Sequence, residues 1–269
     1  MKKFLFFALV LLMQTVSAQA TRFIYQVSMK LDSTQRGDIK TETAILDVSP
    51  AKSVFYAEKR IQRDSLFARA RQTGGAGFDR SQMENLRSNI DFVIEKDLAN
   101  GTKTFTGRIA HDQYSYAEDR PMDWKILPET ATIGDYKTQK AETQFAGRTW
   151  YAWFANEIPF QDGPYKFSGL PGLIVKVEDS KGDYSFDLKE TRKVGEIQTL
   201  NTNGNILKIN RKDFEKQMAN YRNDPVAAMQ AGRGAGRGGA RNADPNQRRQ
   251  LENRLKEEIQ KNNNPIELK

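Results

Sequence analysis

Apolar residues fall at every second position in the stretch that follows residue 21. Phe23, Tyr25, Val27, Met29 and Leu31 would share one face of an extended chain, and the residues between them are mostly polar. A period of two is typical of a β-strand with one buried and one wet face, as in antiparallel sheets. The domain is therefore predicted to begin as an antiparallel sheet.

Turn-forming residues divide most of the remaining chain into short strands. Asn100-Gly101, for example, separates two alternating runs and is a strong hairpin signal. Helical periodicity occurs in only a few places. The predicted strands include 22–31, 41–48, 53–57, 91–96, 103–109, 133–139, 148–155, 173–177, 184–188, 196–200 and 206–209, and the predicted helices include 58–71 and 211–222. The fold class is predicted to be mainly β: a single antiparallel curved sheet or half-barrel of about ten strands with two or three peripheral helices.

The two ends of the chain differ in composition from the middle. Residues 1–18 have two lysines, a ten-residue apolar run and small residues before Gln19, the pattern of a secretory signal peptide. Residues 19–225 are assigned to the β domain. Residues 226–250 are rich in Gly and Arg and are predicted to be a disordered linker, and 251–269 a C-terminal helix and tail. The chain is thus expected to be exported to the periplasm, the outer membrane or the medium.

The residues that are scarce limit the chemistry of the chain. It has no cysteine and one histidine, which excludes thiolate catalysis and Cys-based metal sites and disfavours His-rich metal centres and Ser-His-Asp triads. We therefore predict no catalytic residues, no metal and no cofactor. After the leader, no segment has the length and apolarity of a membrane span.

The hexapeptide from Gly169 to Ile174, Gly-Leu-Pro-Gly-Leu-Ile, predicts a rigid turn before a strand. Pro171 fixes φ at about −65° in the second position, and Gly172 supplies the positive φ that a type II turn requires in the third. Gly169 lies just before the turn, where a missing Cβ permits close backbone approach or a positive φ. These three residues are predicted to have a structural role.

Aromatic residues are concentrated immediately before this turn. Seven of them fall within residues 150–167, against a chain average of 10%. On a strand, Trp150 and Phe154 share one face and Tyr151 and Trp153 the other. The second face is either packed in the core or a ligand platform for a sugar or peptide. Tyr151 and Trp153 are therefore the candidate ligand-binding residues.

Two sets of charged residues, four acids and five arginines, each have more than one interpretation. Glu157, Asp162, Glu178 and Asp179 lie beside turn signals, where acids commonly have structural roles, although a pair such as Glu157 and Asp162 could serve glycoside hydrolysis. The arginines of the Gly/Arg-rich tract, in an exported protein, indicate a tether or weak contact with an anionic envelope surface, and no nucleic-acid partner. They are Arg233, Arg237, Arg241, Arg248 and Arg249.

Several short motifs together resemble the GLPGLI family of Bacteroidetes envelope proteins. They are Gly147-Arg148, Ala152-Trp153-Phe154, Ile158-Pro159, Gly163-Pro164, the hexapeptide 169–174 and the ending 264–268. The resemblance implies no assigned activity and no catalytic residue. A related module precedes the catalytic part of a secreted peptide-N-glycosidase, which also implies an envelope β-module.

Three functions fit the sequence. The first is a non-catalytic envelope module that binds an unknown ligand or partner, for instance as an accessory to outer-membrane nutrient uptake. The second is a secreted hydrolase that uses carboxylates. The third is a structural or assembly protein, which the sequence does not separate from the first.

Overall fold

A computed structural model of the chain describes residues 19–74, 80–200, 205–231 and 245–268. Within these ranges, twelve strands form one open sheet in the order β12-β6-β5-β4-β3-β2-β1-β11-β10-β9-β8-β7. Neighbouring strands there are antiparallel, except that β12 runs parallel to β6. The predicted fold class, a mainly β chain with one antiparallel sheet, is confirmed, with twelve strands where about ten were expected.

The strands follow one another through two long hairpin meanders. Their bounds are β1 Ala20–Met29, β2 Lys40–Val48, β3 Lys52–Ala57, β4 Phe92–Asp97, β5 Lys103–Ile109, β6 Asp112–Ala117, β7 Lys125–Ile133, β8 Tyr136–Phe145, β9 Arg148–Ala155, β10 Leu173–Asp179, β11 Tyr184–Val194 and β12 Ile206–Lys208. In the described ranges the helices are α1 Glu58–Gln72, α2 Arg80–Asn85, α3 Arg211–Asn223, α4 Pro225–Ala231 and α5 Pro245–Lys261. This makes five helices where two or three were predicted.

The sheet is strongly curved around the connection between β9 and β10, residues 156–172, which we call the inner loop. Its Tyr165 ring lies 5.4 Å from Phe92 on β4 and 5.9 Å from Phe167, whose ring is 4.8 Å from Trp150 on β9. In a flat sheet, β4 and β9, six positions apart, would be separated by roughly 29 Å. Three ring contacts do not span that distance, so the sheet bends around the inner loop.

The curved sheet has a large inner core and a smaller outer one. Alternating residues of β1, such as Phe23, Tyr25 and Val27, face inward and are buried with the inner loop. On the outer face, Ile45 and Tyr56 form a second cluster with Ile61 of α1. Helix α3 closes one end of the inner face, where Phe214 packs on the rings of Phe105 and Tyr116. The period-two pattern thus assigns most strand residues to their faces.

Two predicted strands are wrong for local reasons, and one predicted helix end is correct. The predicted strand 133–139 is interrupted because Gly134 has φ 58° and turns the chain from β7 into β8. Residues 196–200 are not a strand; Ile197 and Leu200 instead pack on the outer cluster. The pair Asp224-Pro225 was predicted to end the helix 211–222, and α3 does end at Asn223; Pro225 then begins the short helix α4, as proline in a first helical turn permits.

Two predicted segments fall largely outside the described residues. They are the signal peptide, 1–18, and the middle of the predicted linker, 232–244, which contains Arg233, Arg237 and Arg241. The ends of the predicted linker are helical, since α4 and α5 extend into it, and Arg248 and Arg249 are exposed residues of α5. In the part of the chain that is described, no helix is long and apolar enough to cross a bilayer.

Candidate functional site

The predicted ligand-binding residues Tyr151 and Trp153 lie on β9, on the face opposite Trp150 and Phe154, and Trp153 also packs against the main core. Both are half-buried, whereas Trp150 and Phe154 on the opposite face are 1% and 0% exposed. The aromatic residues of β9 are therefore divided between its two faces. Trp150 and Phe154 are enclosed in the core, whereas Tyr151 and Trp153 are partly exposed to solvent.

A lysine from the neighbouring strand covers the rings of Tyr151 and Trp153. Lys140 on β8 is opposite Trp153, and its Nζ lies 4.7 Å from the Tyr151 ring centroid and 5.6 Å from that of Trp153. On the other side, Lys176 and Glu178 of β10 are paired with Trp153 and Tyr151. A ligand that stacked on these rings would have to displace the Lys140 ammonium or share the site with it.

The hexapeptide turn differs from the predicted type II geometry. Gly169 has φ 94°, whereas Gly172 is not in the positive-φ region. Gly172 N–H donates to the Leu170 carbonyl (2.8 Å), which makes a three-residue turn centred on Pro171. A Cβ on Gly172 would lie 2.2 Å from the carbonyl oxygen of Ala155. Gly172 is therefore required for close approach between β9 and β10, and the reason predicted for it is wrong.

The four acids singled out in the sequence do not form a pair that serves catalysis. Asp162 is buried and accepts from Lys96 Nζ at 2.5 Å, and Asp179 is buried against Arg148 at 2.9 Å. Glu178 pairs with Lys176 on the surface, and Glu157 is exposed. These positions agree with structural roles for the four acids. Among the described carboxyl groups with a shifted pKa, namely Asp32, Glu118, Asp119, Asp183 and Glu190, every pKa is lowered.

A buried polar cluster, which the sequence did not reveal, connects the inner loop to β6 and to the C-terminus. Lys166 of the inner loop is 1% exposed, and its Nζ donates to Glu118 and Glu267 (both 2.6 Å) and to the hydroxyl of Tyr116 (2.9 Å). Arg120 bonds both carboxylates as well. Burial alone would raise the pKa of Glu118, but hydrogen bonds and the charges of Arg120 and Lys166 lower it to about 2. Each charged side chain of the cluster thus has an oppositely charged partner.

The last residues that the structure describes, 264–268, form a segment that we call the C-terminal strap. It crosses the inner face, and its backbone is fixed by Asn264 N–H to the Leu31 carbonyl (2.9 Å) and Leu268 N–H to the Ala146 carbonyl (2.8 Å). Buried Arg148 is its main side-chain anchor. Arg148 donates to the carboxylates of Asp179 and Asp183, the Asn264 side chain, and the carbonyls of Pro265 and Ile266. The strap is thus an integral part of the fold.

A groove of about 620 Å³ opens between the strap, α3 and the ends of β4 and β5. Its walls are mainly apolar, and Tyr116, Tyr165 and Glu267 connect them to the buried cluster. The apolar lining includes Phe92, Phe105, Phe214, Met218, Ile266 and Leu268. The lining also contains charged and amide side chains, among them Asp91, Arg108 and Arg222. A volume of this size is in the range of small-molecule sites. Tyr151 and Trp153 do not line it.

Two neighbouring lysines elsewhere on the inner side of the sheet, Lys96 and Lys103, have a pKa that burial lowers. Burial, and then the charge of neighbouring Lys96, lower the pKa of Lys103 to about 8. Lys96 itself is bonded to Asp162 and to the carbonyls of Gly163 and Phe167. Lys103 is not among the residues lining the groove, so its lowered pKa is not a property of that site.

A family model described as "Protein of unknown function (Porph_ging)" matches residues 142–176, which contain β9, the inner loop and the start of β10. The match is compatible with a Bacteroidetes-associated protein family. No curated protein matches the chain.

Solved structures with a similar fold include "Structure of PNGF-II in P21 space group" and "Structure of PNGF-II in C2 space group". Their TM-scores are 0.53 and 0.51, with 18% identity over 76% of this chain. The chain spans 34% of the length of each. At this level of identity the likeness shows a shared fold and nothing of activity.

Proposed function

We propose that this chain is an exported, non-catalytic β-module of the cell envelope that binds a ligand in the groove between α3 and the C-terminal strap. The observation that carries the proposal is the groove itself, an apolar recess of about 620 Å³. Its half-buried apolar residues include Phe92, Phe105 and Met218. Apolar side chains in an open recess gain free energy when a ligand removes them from water.

We also propose that the chain is a GLPGLI-family protein. Two separate parts of the sequence carry that resemblance, and they contact each other. Arg148, the first residue of β9, binds Asn264 of the strap, and Lys166 of the inner loop binds Glu267. These contacts connect the part of the chain around the internal motif to the ending. An accessory role in outer-membrane nutrient uptake, and export to the periplasm or beyond, belong to the same proposal.

The carboxylate hydrolase is a weaker alternative for this fold. General acid catalysis needs a carboxyl group that stays protonated near neutral pH, and so needs a raised pKa. Glu118, an acid of the cluster beside the groove, instead has its pKa lowered to about 2 by Arg120 and Lys166. Asp162 is held by Lys96 in the core. A purely structural role differs from the proposal in one testable respect, which is that the groove would bind nothing.

Tyr151 and Trp153 remain a second candidate site. They stay half-exposed while Trp150 and Phe154 are buried, which is the arrangement that a platform on their face of β9 requires. Because Lys140 already lies against both rings, an anionic sugar or peptide is the ligand that would suit the surface best.

The two sites are distinguished by one binding experiment with a neutral apolar dye, N-phenyl-1-naphthylamine. We expect the dye to bind the parent protein with increased fluorescence, and Ala219→Trp, which adds a large ring to the groove wall, to abolish that binding. Gln217→Trp on the exposed side of the same helix is the matched control and should bind normally. Trp153→Ala should also bind the dye normally and should keep the melting temperature within a few degrees.

A parent protein that leaves the dye unbound would contradict the groove as a ligand site. Equal binding by the Ala219→Trp protein would place the dye elsewhere. If Trp153→Ala is the only variant that loses binding in a parallel screen of glycans and peptides, the ligand site is the surface formed by Tyr151 and Trp153.

A further inference from the structure

The groove continues into a second cavity on the other side of the strap. This second cavity has a volume of about 360 Å³. The residues common to both walls are Asn89, Phe92, Met218, Arg222, Pro265 and Ile266. The two cavities are therefore adjacent compartments, separated by the strap and bounded by the last turns of α3.

Apolar side chains, several of them methionine or aromatic, line both compartments. Phe105 belongs to the first, Val27, Met29 and Phe186 to the second, and Met218 to both. In the second compartment the lining is part of the inner core, where Val27, Met29 and Phe186 are at most 3% exposed. Methionine adapts its shape to irregular apolar groups at little cost. A lining of this kind favours a hydrocarbon chain over a polar ligand.

The acidic groups along the groove already have basic partners. Asp91 lies 3.5 Å from Arg63, Glu215 2.5 Å from Arg211, and Glu267 2.6 Å from Lys166. Arg222, in contrast, is exposed at the junction of the two compartments, and within the described ranges no carboxylate lies within ion-pair distance of it. The charge left uncompensated at the junction is positive.

We propose that the groove binds an amphiphile with an apolar chain and one anionic group, the chain lying along Phe92, Met218 and Ile266 and the anion at Arg222. A guanidinium binds carboxylate or phosphate oxygens through parallel hydrogen bonds, so it would fix the charged end at the mouth. The inference rests on the proposed function, because it names the class of ligand for the same groove.

The test measures displacement of N-phenyl-1-naphthylamine by three ligands with the same chain, below their micellar concentrations at pH 8. The ligands are dodecanoate, dodecyl phosphate and the neutral 1-dodecanol. We expect at least one anionic ligand to bind about tenfold or more tightly than the alcohol, as expected for a charge-assisted hydrogen bond. Arg222→Glu should remove this preference. Lys216→Glu, the same charge change at an exposed position of α3 away from the groove, should preserve it.

The outcomes separate the inference from the function on which it rests. Two results would contradict an anionic group bound at Arg222: equal affinities for anions and alcohol in the parent protein, or a preference for anions that survives Arg222→Glu. Neither would contradict the proposal that the groove binds an apolar ligand. Dye that does not bind the parent protein would overturn both. A preference for dodecanoate alone assigns a carboxylate ligand, and a preference for the phosphate alone assigns a phosphorylated lipid. Each of these last two results supports the inference.

Discussion

At the scale of single residues, Gly169 has one of the two roles expected of it, a positive φ, whereas Gly172 lacks the positive φ that was predicted for it. The sequence identified Gly169, Pro171 and Gly172 as a structural turn, but the positive φ lies at Gly169, and Gly172 is restricted by the Ala155 carbonyl. A proline-glycine pair specifies a turn locally. It does not specify which neighbouring strand will approach the glycine, because that depends on contacts distant in sequence.

Alanine substitutions at three glycines separate these effects. Gly172→Ala should destabilise the protein by about 2 kcal/mol or more, since its Cβ would overlap backbone that cannot rotate away. Gly169→Ala has open space but a φ of 94°, and should cost about 1 kcal/mol. Gly37→Ala, with no atom within 4 Å and no positive φ, is the control and should be nearly neutral. Urea unfolding measures all three, and equal costs for Gly172→Ala and Gly37→Ala would contradict the close approach.

At the scale of elements, the sequence was most informative where structure is local. Alternation gave nearly the observed bounds for β1 to β5 and for β9, and periodicity gave α1 and α3. It failed at Gly134, where a single φ converts one predicted strand into a hairpin. The sequence pattern also could not reveal the partners of Lys166 or Arg148. Those of Lys166 lie 48 or more residues away in the sequence. Those of Arg148 in the strap lie up to 118 residues away, and only Asp179 and Asp183 are nearer. Long-range polar contacts carry no periodic signal.

The C-terminal strap should depend on Arg148. Arg148→Met keeps the apolar stem but leaves Asp179 and Asp183 buried without their shared cation, for which a loss of about 3 to 5 kcal/mol is typical. Amide hydrogen exchange should accelerate at Asn264 and Leu268, whose N–H groups bond to the body of the domain. Arg192→Met, which removes an exposed pair with Glu190, is the control and should change neither stability nor exchange in the strap. Unchanged protection at both amides in the Arg148→Met protein would show that the backbone bonds suffice.

At the scale of the whole molecule, one polar cluster joins three regions that the sheet alone does not connect. Lys166 comes from the inner loop, Glu118 follows β6, and Glu267 belongs to the strap. The sheet curves around the inner loop, and the strap and α3 then cover the open side, so the groove is formed only when all of these parts are in place. Stability and the shape of the groove are therefore coupled through this cluster.

The coupling predicts how the protein responds to acid. The pKa of Glu118 falls from its usual 4.5 to about 2 in the folded protein, so its carboxylate contributes stability above pH 4.5. That contribution, on the order of 2 kcal/mol after allowance for solvent screening, is lost as the pH falls from 4.5 towards 2. Glu118→Gln should therefore be less stable than the parent at pH 7, and the difference should shrink steadily below pH 4.5.

Urea unfolding at pH 7, 4.5, 3.5 and 2.5 measures this difference directly. Glu157→Gln, at an exposed acid without a basic partner among the described residues, is the matched control and should unfold like the parent at each pH. A difference between Glu118→Gln and the parent that stays constant down to pH 2.5 would mean that the cluster contributes by packing and not by charge. Dye binding followed over the same range should decline together with the stability, because protonation of Glu118 weakens the hold of Lys166, which joins the inner loop to the strap at the wall of the groove.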